Sequence, residues 1–456
     1  MTKHKDTKVA LLMGSSLFME MLDSTIVTTA LPQITASLKL ESSSASLIIS
    51  LYMLSVAIFI PLSGWLAQRY GNRTIWLTAV SLFIISSLGC ALSFNLTSML
   101  IMRVLQGISG ALMVPTARLI VLENTHPKDL LKMMSYVIWP ALIAPAIAPF
   151  VGGVLTTYLS WHWIFMINIP IGLILLLIGH HMLSVNERHQ HVKNFDWLGF
   201  LGLSISTGTL LIALDSIAGH QKLSILSLLL LGICSVSLYM SIKHLMTVQN
   251  PLFSLSALRF SSFRLSQIGG SLLWLSVGAI PYLSTIFFQN AFHWSPMKTG
   301  TYVLLIFVGN IGIKPIANAM VLQIGYKKTL IISLLTVIIT TGAISQVTPE
   351  TSSIVLGILL VLSGVGRSLS LTAYNGMSLV EVPYVERNSA NTFASVTQNL
   401  AQGIGISLVT ITFSILSIYM ESIDAYRATF IALAVLSVLP LIEVLTKPND
   451  IGMVNN

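Results

Sequence analysis

Two carboxylic acids stand in the first apolar stretch of the sequence. Asp23 lies in the string LDSTIVTTALP that begins at Leu22, and Glu20 precedes it by one helical turn. A charge at the centre of a membrane-spanning helix costs about 2.5–3.5 kcal/mol on insertion scales. Because removal from water favours the neutral acid, Asp23 and Glu20 are predicted to load and release protons. Two neighbouring acids repel when both are ionised, so one should hold its proton more tightly. Alternatively, Glu20 is a carboxylate near one mouth, tied to a neighbouring helix.

Three basic residues also interrupt apolar runs. Arg103 is expected to approach Asp23, so that protonation of the acid would release the arginine. The alternative is a static ion pair that only fixes packing. Lys314 and Arg367 lie in the second half of the chain, and with Arg103 they would make a positively charged cavity suited to an anionic substrate. Alternatively, each pairs with a carboxylate or a backbone carbonyl. The uncharged candidates for cavity residues, which could equally make interhelical hydrogen bonds, are Gln106, Asn310 and Asn375.

The composition places these residues in a membrane protein. Of the 456 residues, 54% are hydrophobic and only 9% are charged, and the mean hydropathy is +0.84. Soluble domains carry roughly 25% charged residues, whereas a spanning helix needs about 20 mostly apolar ones. The sequence therefore predicts an all-α polytopic membrane protein.

Apolar length and polar breaks predict fourteen spans. They cover approximately 9–35, 45–67, 74–94, 97–122, 134–158, 163–183, 197–215, 223–245, 264–288, 301–323, 329–347, 352–376, 388–418 and 426–446. The apolar segment within 246–263 is short, and we expect an interfacial helix there instead of a crossing.

The basic residues predict the orientation of the chain. Most of the 24 Lys and Arg residues fall on the side of the N-terminus, which indicates that both termini are cytoplasmic. This bias accounts for the net charge of +8, and the scattered basic residues argue against nucleic-acid binding. The sequence lacks motifs of nucleotide-driven pumps and metalloproteases, and we expect neither a cofactor, a metal site nor an enzyme activity. Cys90 and Cys234 are interpreted as packing residues.

A weak internal repeat organises the spans. A turn with two glycines and basic residues follows the second span, from Gly64 to Arg73, and Gly325 and Lys327 after the tenth span repeat the spacing of Gly71 and Arg73. Six spans therefore repeat, with two inserted between the copies. The predicted parts are a six-helix bundle at 1–183, two inserted helices with the interfacial segment at 184–260, and a second bundle at 261–456. Such repeats are typical of transporters whose substrate binds between the halves.

Several motifs resemble the major facilitator superfamily, in its fourteen-helix drug:proton antiporter branch. The turn containing Gly64, Gln68, Arg69, Gly71 and Arg73 resembles the loop signature that latches the two halves together. The string RVLQGISG from Arg103 is similar to the fourth-helix motif, which places an arginine in the cavity wall. The fifth-span string APAIAPFVGG, with Pro145, Pro149, Gly152 and Gly153, resembles the motif of exporters. The LDSTIVTTALP string, WHWIFMINIPIG from Trp161 and DWLG from Asp196 are also similar to this branch.

The chain departs from the family pattern at a few positions. The loop signature usually has an aspartate where Gln68 stands, which removes a carboxylate that would pair with basic residues. Alanines replace glycines at Ala144 and Ala148, so helix contact there should be looser. His162 stands where arginine is usual, a variant most similar to a Gram-negative inner-membrane subgroup.

The resemblance implies two six-helix bundles related by pseudo-two-fold symmetry, with two further helices between them. It implies a proton-coupled exporter that works by alternating access. Small organic molecules or drugs are the expected cargo, with anionic metabolites and metal chelates among the candidates. The expected partners are this cargo, protons and the bilayer of the inner membrane, and the expected working unit is a monomer. The alternatives are proton-coupled uptake in the same fold and a receptor or scaffold that does not transport.

Overall fold

The computed structural model describes residues 2–40, 45–125, 129–183, 194–220, 223–383 and 386–448. Within these ranges the secondary structure is helical throughout. The helices are α1 Thr2–Ser37, α2 Leu47–Tyr70, α3 Asn72–Ala91, α4 Leu96–Asn124, α5 Leu130–Tyr158, α6 Asn168–Met182 after one turn at Trp163–Met166, α7 Trp197–His220, α8 Ile225–Thr247, α9 Ser261–Ile286 with a π-helical end at Phe287–Ala291, α10 Pro296–Gly312, α11 Lys314–Ile344, α12 Ser353–Ser378, α13 Arg387–Leu416, α14 Ser422–Leu436 and α15 Val438–Leu445.

These helices account for the fourteen predicted spans. In the described residues, 13 helices are long and apolar enough to cross a membrane. The tenth span is broken at Ile313, next to Pro315, into α10 and the first part of α11. The remainder of α11, beyond a kink at Gly325, forms the eleventh span, and α14 with α15 forms the fourteenth. The protein is therefore a multi-pass, all-helical membrane protein.

The segment before α9 is less helical than expected. One 3₁₀ turn, Ser256–Arg259, replaces the predicted interfacial helix. Glu386, at the start of α13, holds this turn by pairing with Arg259 and by accepting a hydrogen bond from Ser256 Oγ at 2.6 Å. These side-chain contacts hold the segment in place without a regular helix.

The helices pack as two groups. In the first bundle (α1–α6), α1 packs most extensively on α5, and α4 packs on α2 and α3. In the second bundle (α9–α15), α9 packs on α13, and α12 packs on α10 and α11. The two bundles meet where α5 contacts α10 and where α2 contacts α13. The inserted helix α7 lies against both α2 and α13, while α8 packs mainly on α7 and is otherwise exposed.

Asp196, in the DWLG string, anchors the inserted helices. Its Oδ1 atom accepts a hydrogen bond from the backbone N–H of Gly199 at 2.9 Å, which caps α7. The same oxygen lies 2.7 Å from His244 Nε2 on α8, and Oδ2 accepts from the backbone N–H of Leu252 at 3.1 Å. One buried carboxylate thus joins α7, α8 and the following segment.

The repeated turns of the two halves have the same backbone conformation and similar side-chain contacts. Gly71 and Gly325 have φ values of 88° and 82°, in the region that favours glycine. Two residues later, Arg73 donates to the carbonyl of His180 at 2.9 Å, near the end of α6. In the same way, Lys327 donates to the carbonyl of Lys447, just beyond α15. Each basic residue therefore binds a free carbonyl at the end of its bundle's last helix.

The bundles touch closely at the end of the helices that lies away from the N-terminus of α1, here named the closed end. A Cβ atom at Gly300 on α10 would lie 2.0 Å from the carbonyl oxygen of Pro149 on α5, and one at Gly153 would lie 2.6 Å from that of Pro296. Gln289 Nε2 donates to the carbonyl of Thr29 at 3.0 Å. Glycine is required at these contacts because the neighbouring atoms belong to backbone.

Replacing Gly300 by leucine should open the closed end. The added side chain would overlap the α5 backbone, and overpacking of this kind costs about 1–3 kcal/mol, a roughly fivefold to hundredfold shift in a conformational equilibrium. Spin labels at Leu159 and Tyr419, both exposed, should report a longer distance in Gly300→Leu. Gly342→Leu is the matched control, because no atom lies within 4 Å of a Cβ there. Equal distance distributions in the two variants would contradict this account of the closed end.

Candidate functional site

Asp23 is fully buried at the centre of a hydrogen-bond network in the first bundle. Its Oδ2 atom accepts from Arg103 Nη1 at 2.8 Å. Its Oδ1 atom accepts from Gln106 Nε2 at 2.8 Å and from Asn168 Nδ2 at 2.7 Å. One cation and two amides from α4 and α6 therefore converge on this carboxylate. Such a set of donors stabilises the charged form against the cost of burial.

Arg103 links the acid to two further helices. Its Nε atom donates to the carbonyl of Ile48 on α2 at 2.9 Å, and Nη1 also donates to Gln106 Oε1 at 2.7 Å. Its Cζ atom lies 4.2 Å from the centre of the Tyr52 ring, a cation–π contact. The Nη2 atom is buried without a hydrogen-bond partner among the described residues. Arg103 thus holds α1, α2 and α4 together while one of its nitrogens remains unpaired.

Glu20 joins the same cluster through Tyr52. It is 3% exposed, and its Oε1 atom accepts from the Tyr52 hydroxyl at 2.8 Å. The second oxygen, Oε2, is buried without a partner in the described part of the chain. A Cβ atom at Gly110 would lie 3.2 Å from the Tyr52 hydroxyl and 3.3 Å from Glu20 Cγ, so this glycine of the fourth-helix motif leaves room for the pair.

Three members of the cluster are not among the predicted site residues. Asn168 stands in the aromatic string, and an amide in an apolar span is a recognisable signal for a polar site. Ser87 is buried and accepts from Gln106 Nε2 at 2.8 Å and from Asn168 Nδ2 at 3.3 Å. Serines are common in this sequence, so nothing marked Ser87. Tyr52 reaches the site only because α2 packs closely on α4.

The loop-signature residues lie at the opposite end from the closed end. Gln68 and Arg69 are exposed, and Arg69 Cζ lies 5.2 Å from the centre of the Trp65 ring in its own helix. Among the described residues, no atom lies within 4 Å of a Cβ built on Gly64. Gly64 therefore makes no close contact with the described part of the second bundle.

The fifth-span motif supplies close helix contacts. Pro145 and Pro149 lie inside α5, and a Cβ atom at Gly152 would be 2.8 Å from Ile26 Cγ1 on α1. Gly153 faces α10, as described above. Ala144 and Ala148 are fully buried in the same helix, so the methyl groups that replace the usual glycines are accommodated in the core.

The basic residues of the second bundle remain apart from the Asp23 cluster. Arg367 is 2% exposed and donates through Nη2 to the carbonyl of Val277 on α9, while Nε and Nη1 have no partner among the described residues. Lys314 is half-buried at the break between α10 and α11, and Asn310 is half-buried one turn earlier. Asn375 is exposed near the end of α12. No hydrogen bond or ion pair of the described residues joins these four to Asp23.

Comparisons with known proteins agree with this architecture. The family model of the Major Facilitator Superfamily matches residues 13–284 and 268–450. The chain is 33% identical over 446 residues to the putative multidrug resistance protein MdtD of Escherichia coli O6:H1, a match that covers 95% of this chain and 93% of the relative. The MdtD protein of Escherichia fergusonii gives the same values.

Solved transporter structures share the fold. The nucleoside transporter NupG has a TM-score of 0.64 at 16% identity, with 96% of this chain and 98% of that chain covered. A POT family transporter in complex with 5-aminolevulinic acid has a TM-score of 0.68 at 16% identity, with 96% and 95% covered. These proteins are membrane transporters and not enzymes. The family match, together with the two bundles and the buried polar cluster, shows that this chain is a transporter that belongs to the Major Facilitator Superfamily.

Proposed function

We propose that this transporter exports small organic molecules from the cytoplasm in exchange for protons. The observation that carries the proposal is the fully buried ion pair between Asp23 and Arg103. The pair sits in the first bundle, close to the contacts that α1 and α5 make at the closed end. Its state of protonation is therefore able to influence how the two bundles pack.

Protonation of Asp23 is the step that would change the structure. A neutral Asp23 no longer compensates Arg103, and breaking a buried ion pair by removing one partner costs about 3–5 kcal/mol. Arg103 must then find another acceptor, which moves its contacts with α2 and α4. This coupling offers a physical route from proton binding to alternating access.

The proposed orientation puts the closed end outside the cell. The bias of basic residues supports cytoplasmic termini at the inner membrane, so the cavity would open towards the cytoplasm, where an exporter loads its cargo. An entering proton releases about 1.4 kcal/mol per pH unit and about 2.3 kcal/mol per 100 mV. These values suffice for roughly tenfold or greater accumulation per proton. The resemblance of the α5 motif to exporters and the name of the MdtD relatives support the direction.

Asp23→Asn should abolish transport driven by a pH gradient. Asparagine keeps the shape and a hydrogen-bond acceptor but removes the titrating group. We therefore expect the rate of pH-driven transport to fall by about two orders of magnitude, which corresponds to about 3 kcal/mol. The measurement is uptake of a panel of fluorescent drugs and aromatic carboxylates into everted membrane vesicles after an imposed pH gradient. Asp424→Asn is the control, because its surface pair with Arg427 leaves it 61% exposed.

The outcomes separate the alternative functions. Accumulation in everted vesicles that persists in Asp23→Asn would refute proton coupling through this residue. Flux of the same probes in the opposite direction would indicate uptake. Absence of gradient-driven flux in both the wild type and the variant would favour a receptor or scaffold.

We also propose that the cargo is anionic. Helices α9–α13 contain no Asp or Glu, and Glu443 on α15 lies beside Tyr374. These helices nevertheless carry the half-buried Lys314 and Arg367, whose Nε and Nη1 atoms have no partner among the described residues. A buried cation without a counter-charge is costly, and a carboxylate or a metal chelate with net negative charge would supply that charge. The first bundle, by contrast, holds two acids beside one arginine.

Arg367→Gln should remove the preference for anions. Binding of 1-naphthoate to purified protein should weaken by roughly tenfold or more, since hydrogen bonds to charged groups contribute about 1.5–3 kcal/mol. Binding of the neutral 1-naphthamide should change little. Thermal stabilisation at increasing ligand concentration provides the measurement, and Arg259→Gln, at an exposed surface pair, is the control. Equal binding of acid and amide to the wild type, or an unchanged preference in Arg367→Gln, would contradict an anion site.

We further propose that the working unit is one chain built from the parts 1–183, 184–260 and 261–456. The support is that α1, α2, α4 and α6 of a single chain complete the Asp23 cluster. The chain ends and the predicted boundary at residue 184 lie outside the described residues.

A further inference from the structure

We propose that Glu20 is a second proton-binding site and that Arg103 exchanges its acid partner between Asp23 and Glu20 during transport. The proposal rests on the proton coupling proposed for Asp23. It adds a second acid to the proton pathway, and it makes Glu20 the new partner of Arg103 when the arginine leaves Asp23.

The balance of charge in the cluster favours a protonated Glu20. The buried cluster contains two acids and one arginine, and Asp23 already accepts from Arg103 Nη1 and from two amides. Glu20 receives one hydrogen bond, from Tyr52, and its Oε2 atom has no partner among the described residues. An ionised carboxylate so poorly satisfied in a buried site is costly. Glu20 therefore holds a proton while Arg103 is paired with Asp23.

The other charged groups near Glu20 do not replace Arg103. Asp23, on the same helix, repels an ionised Glu20. In the observed arrangement Arg118 on α4 attracts an ionised Glu20 more than Arg103 does, but its side chain is exposed and it makes no ion pair with Glu20 in the described part of the structure. Solvent weakens an interaction with an exposed charge. Arg103 is fully buried in the cluster, so in the proposed exchange it is the cation that pairs with Glu20 away from solvent.

Tyr52 brings Arg103 and Glu20 close to each other. Tyr52 contacts both groups, since Arg103 Cζ lies 4.2 Å from the centre of its ring and its hydroxyl donates to Glu20 at 2.8 Å. Arg103 Nη2 has no hydrogen-bond partner among the described residues. The two acids are separated by one turn, a rise of about 4.5 Å along α1, and Gly110 places no side chain beside Glu20. Glu20 is thus the acid that Arg103 would reach past the shared tyrosine when it leaves Asp23.

The exchange moves protons in one direction. When Asp23 binds a proton, Arg103 leaves it and pairs with Glu20, whose proton is released, so one proton enters the cluster and one leaves. Asp23 is the acid nearer the closed end, and Glu20 is nearer the opposite end. The cycle closes when Asp23 passes its proton to Glu20 as Arg103 returns to Asp23. In the proposed orientation, one proton per cycle therefore enters from the outer side and one leaves towards the cytoplasm.

Infrared difference spectroscopy of purified protein with isotope-labelled glutamate tests this exchange without a substrate. At neutral pH the wild type should show a protonated-carboxyl band that is lost in Glu20→Gln. Most of the same band should be lost in Asp23→Asn, because Arg103 then pairs with Glu20 and ionises it. The band should return in the double variant Asp23→Asn, Arg103→Gln. Glu386→Gln, at a partly exposed surface pair, should leave the band unchanged.

Two results would overturn the proposal. One is a wild-type spectrum to which Glu20 contributes no protonated-carboxyl band, and the other is a band that keeps its full intensity in Asp23→Asn. If Asp23→Asn does not yield a monodisperse, folded sample, Arg103→Gln alone gives the converse test, since Glu20 should then stay protonated to higher pH than in the wild type. The vesicle transport assay tests proton-coupled export through Asp23 independently, so a failure of the exchange in the infrared experiment can be distinguished from a failure of that proposal.

Discussion

The buried ion pair between Asp23 and Arg103 is the interaction on which the first bundle depends. Four helices contribute to it, because Asp23 comes from α1, Arg103 and Gln106 from α4, Asn168 from α6 and the carbonyl of Ile48 from α2. Charges in the interior of a membrane protein must be compensated by such partners. One carboxylate thus joins several helices of the bundle. In the proposed function, a change in its protonation would alter contacts on all of them at once.

A second constraint is the absence of side chains where backbones meet. Gly107 and Gly110 bring α4 close to α2 and α1, since a Cβ atom at Gly107 would lie 2.6 Å from Ser55 Cβ. Gly153 and Gly300 bring α5 and α10 together at the closed end. Without a hydrophobic driving force between helices in lipid, small residues at such contacts supply the packing energy. The glycines inside the first bundle leave room for the polar cluster, and those between the bundles allow the backbones of α5 and α10 to meet at the closed end.

The two bundles share architecture but differ in charge. The same backbone geometry occurs in both halves, at the positive-φ glycines Gly71 and Gly325. Each glycine is followed by a basic residue that binds a carbonyl at the end of the bundle's last helix. The first bundle keeps two acids in its interior. In α9–α13 the buried Arg367 reaches only a backbone carbonyl among the described residues. In the proposed function, protons would therefore bind in the first half and the cargo's charge would be met in the second, so that alternating access would depend on the contacts between them.

The membrane class, the positions of the spans and the residues able to carry charge in the interior follow from the amino-acid sequence alone. Apolar length and embedded charges are local properties, which is why the predicted spans and the observed helices agree closely and why Asp23 and Arg103 stood out. The break at Ile313 and the short turn at Ser256–Arg259 depend on local backbone geometry and side-chain contacts that composition does not reveal.

Which polar groups meet depends on the packing of helices that are distant in the sequence. Ser87, Asn168 and Tyr52 joined the cluster because α2, α3 and α6 pack against α4 and α1, and pairing across helices leaves no period in the sequence. Lys314 and Arg367 are basic residues in apolar runs, as Arg103 is, yet neither has an acid partner among the described residues. A charge in an apolar run shows that a partner or water is needed, while the packing of distant helices determines which partner is found.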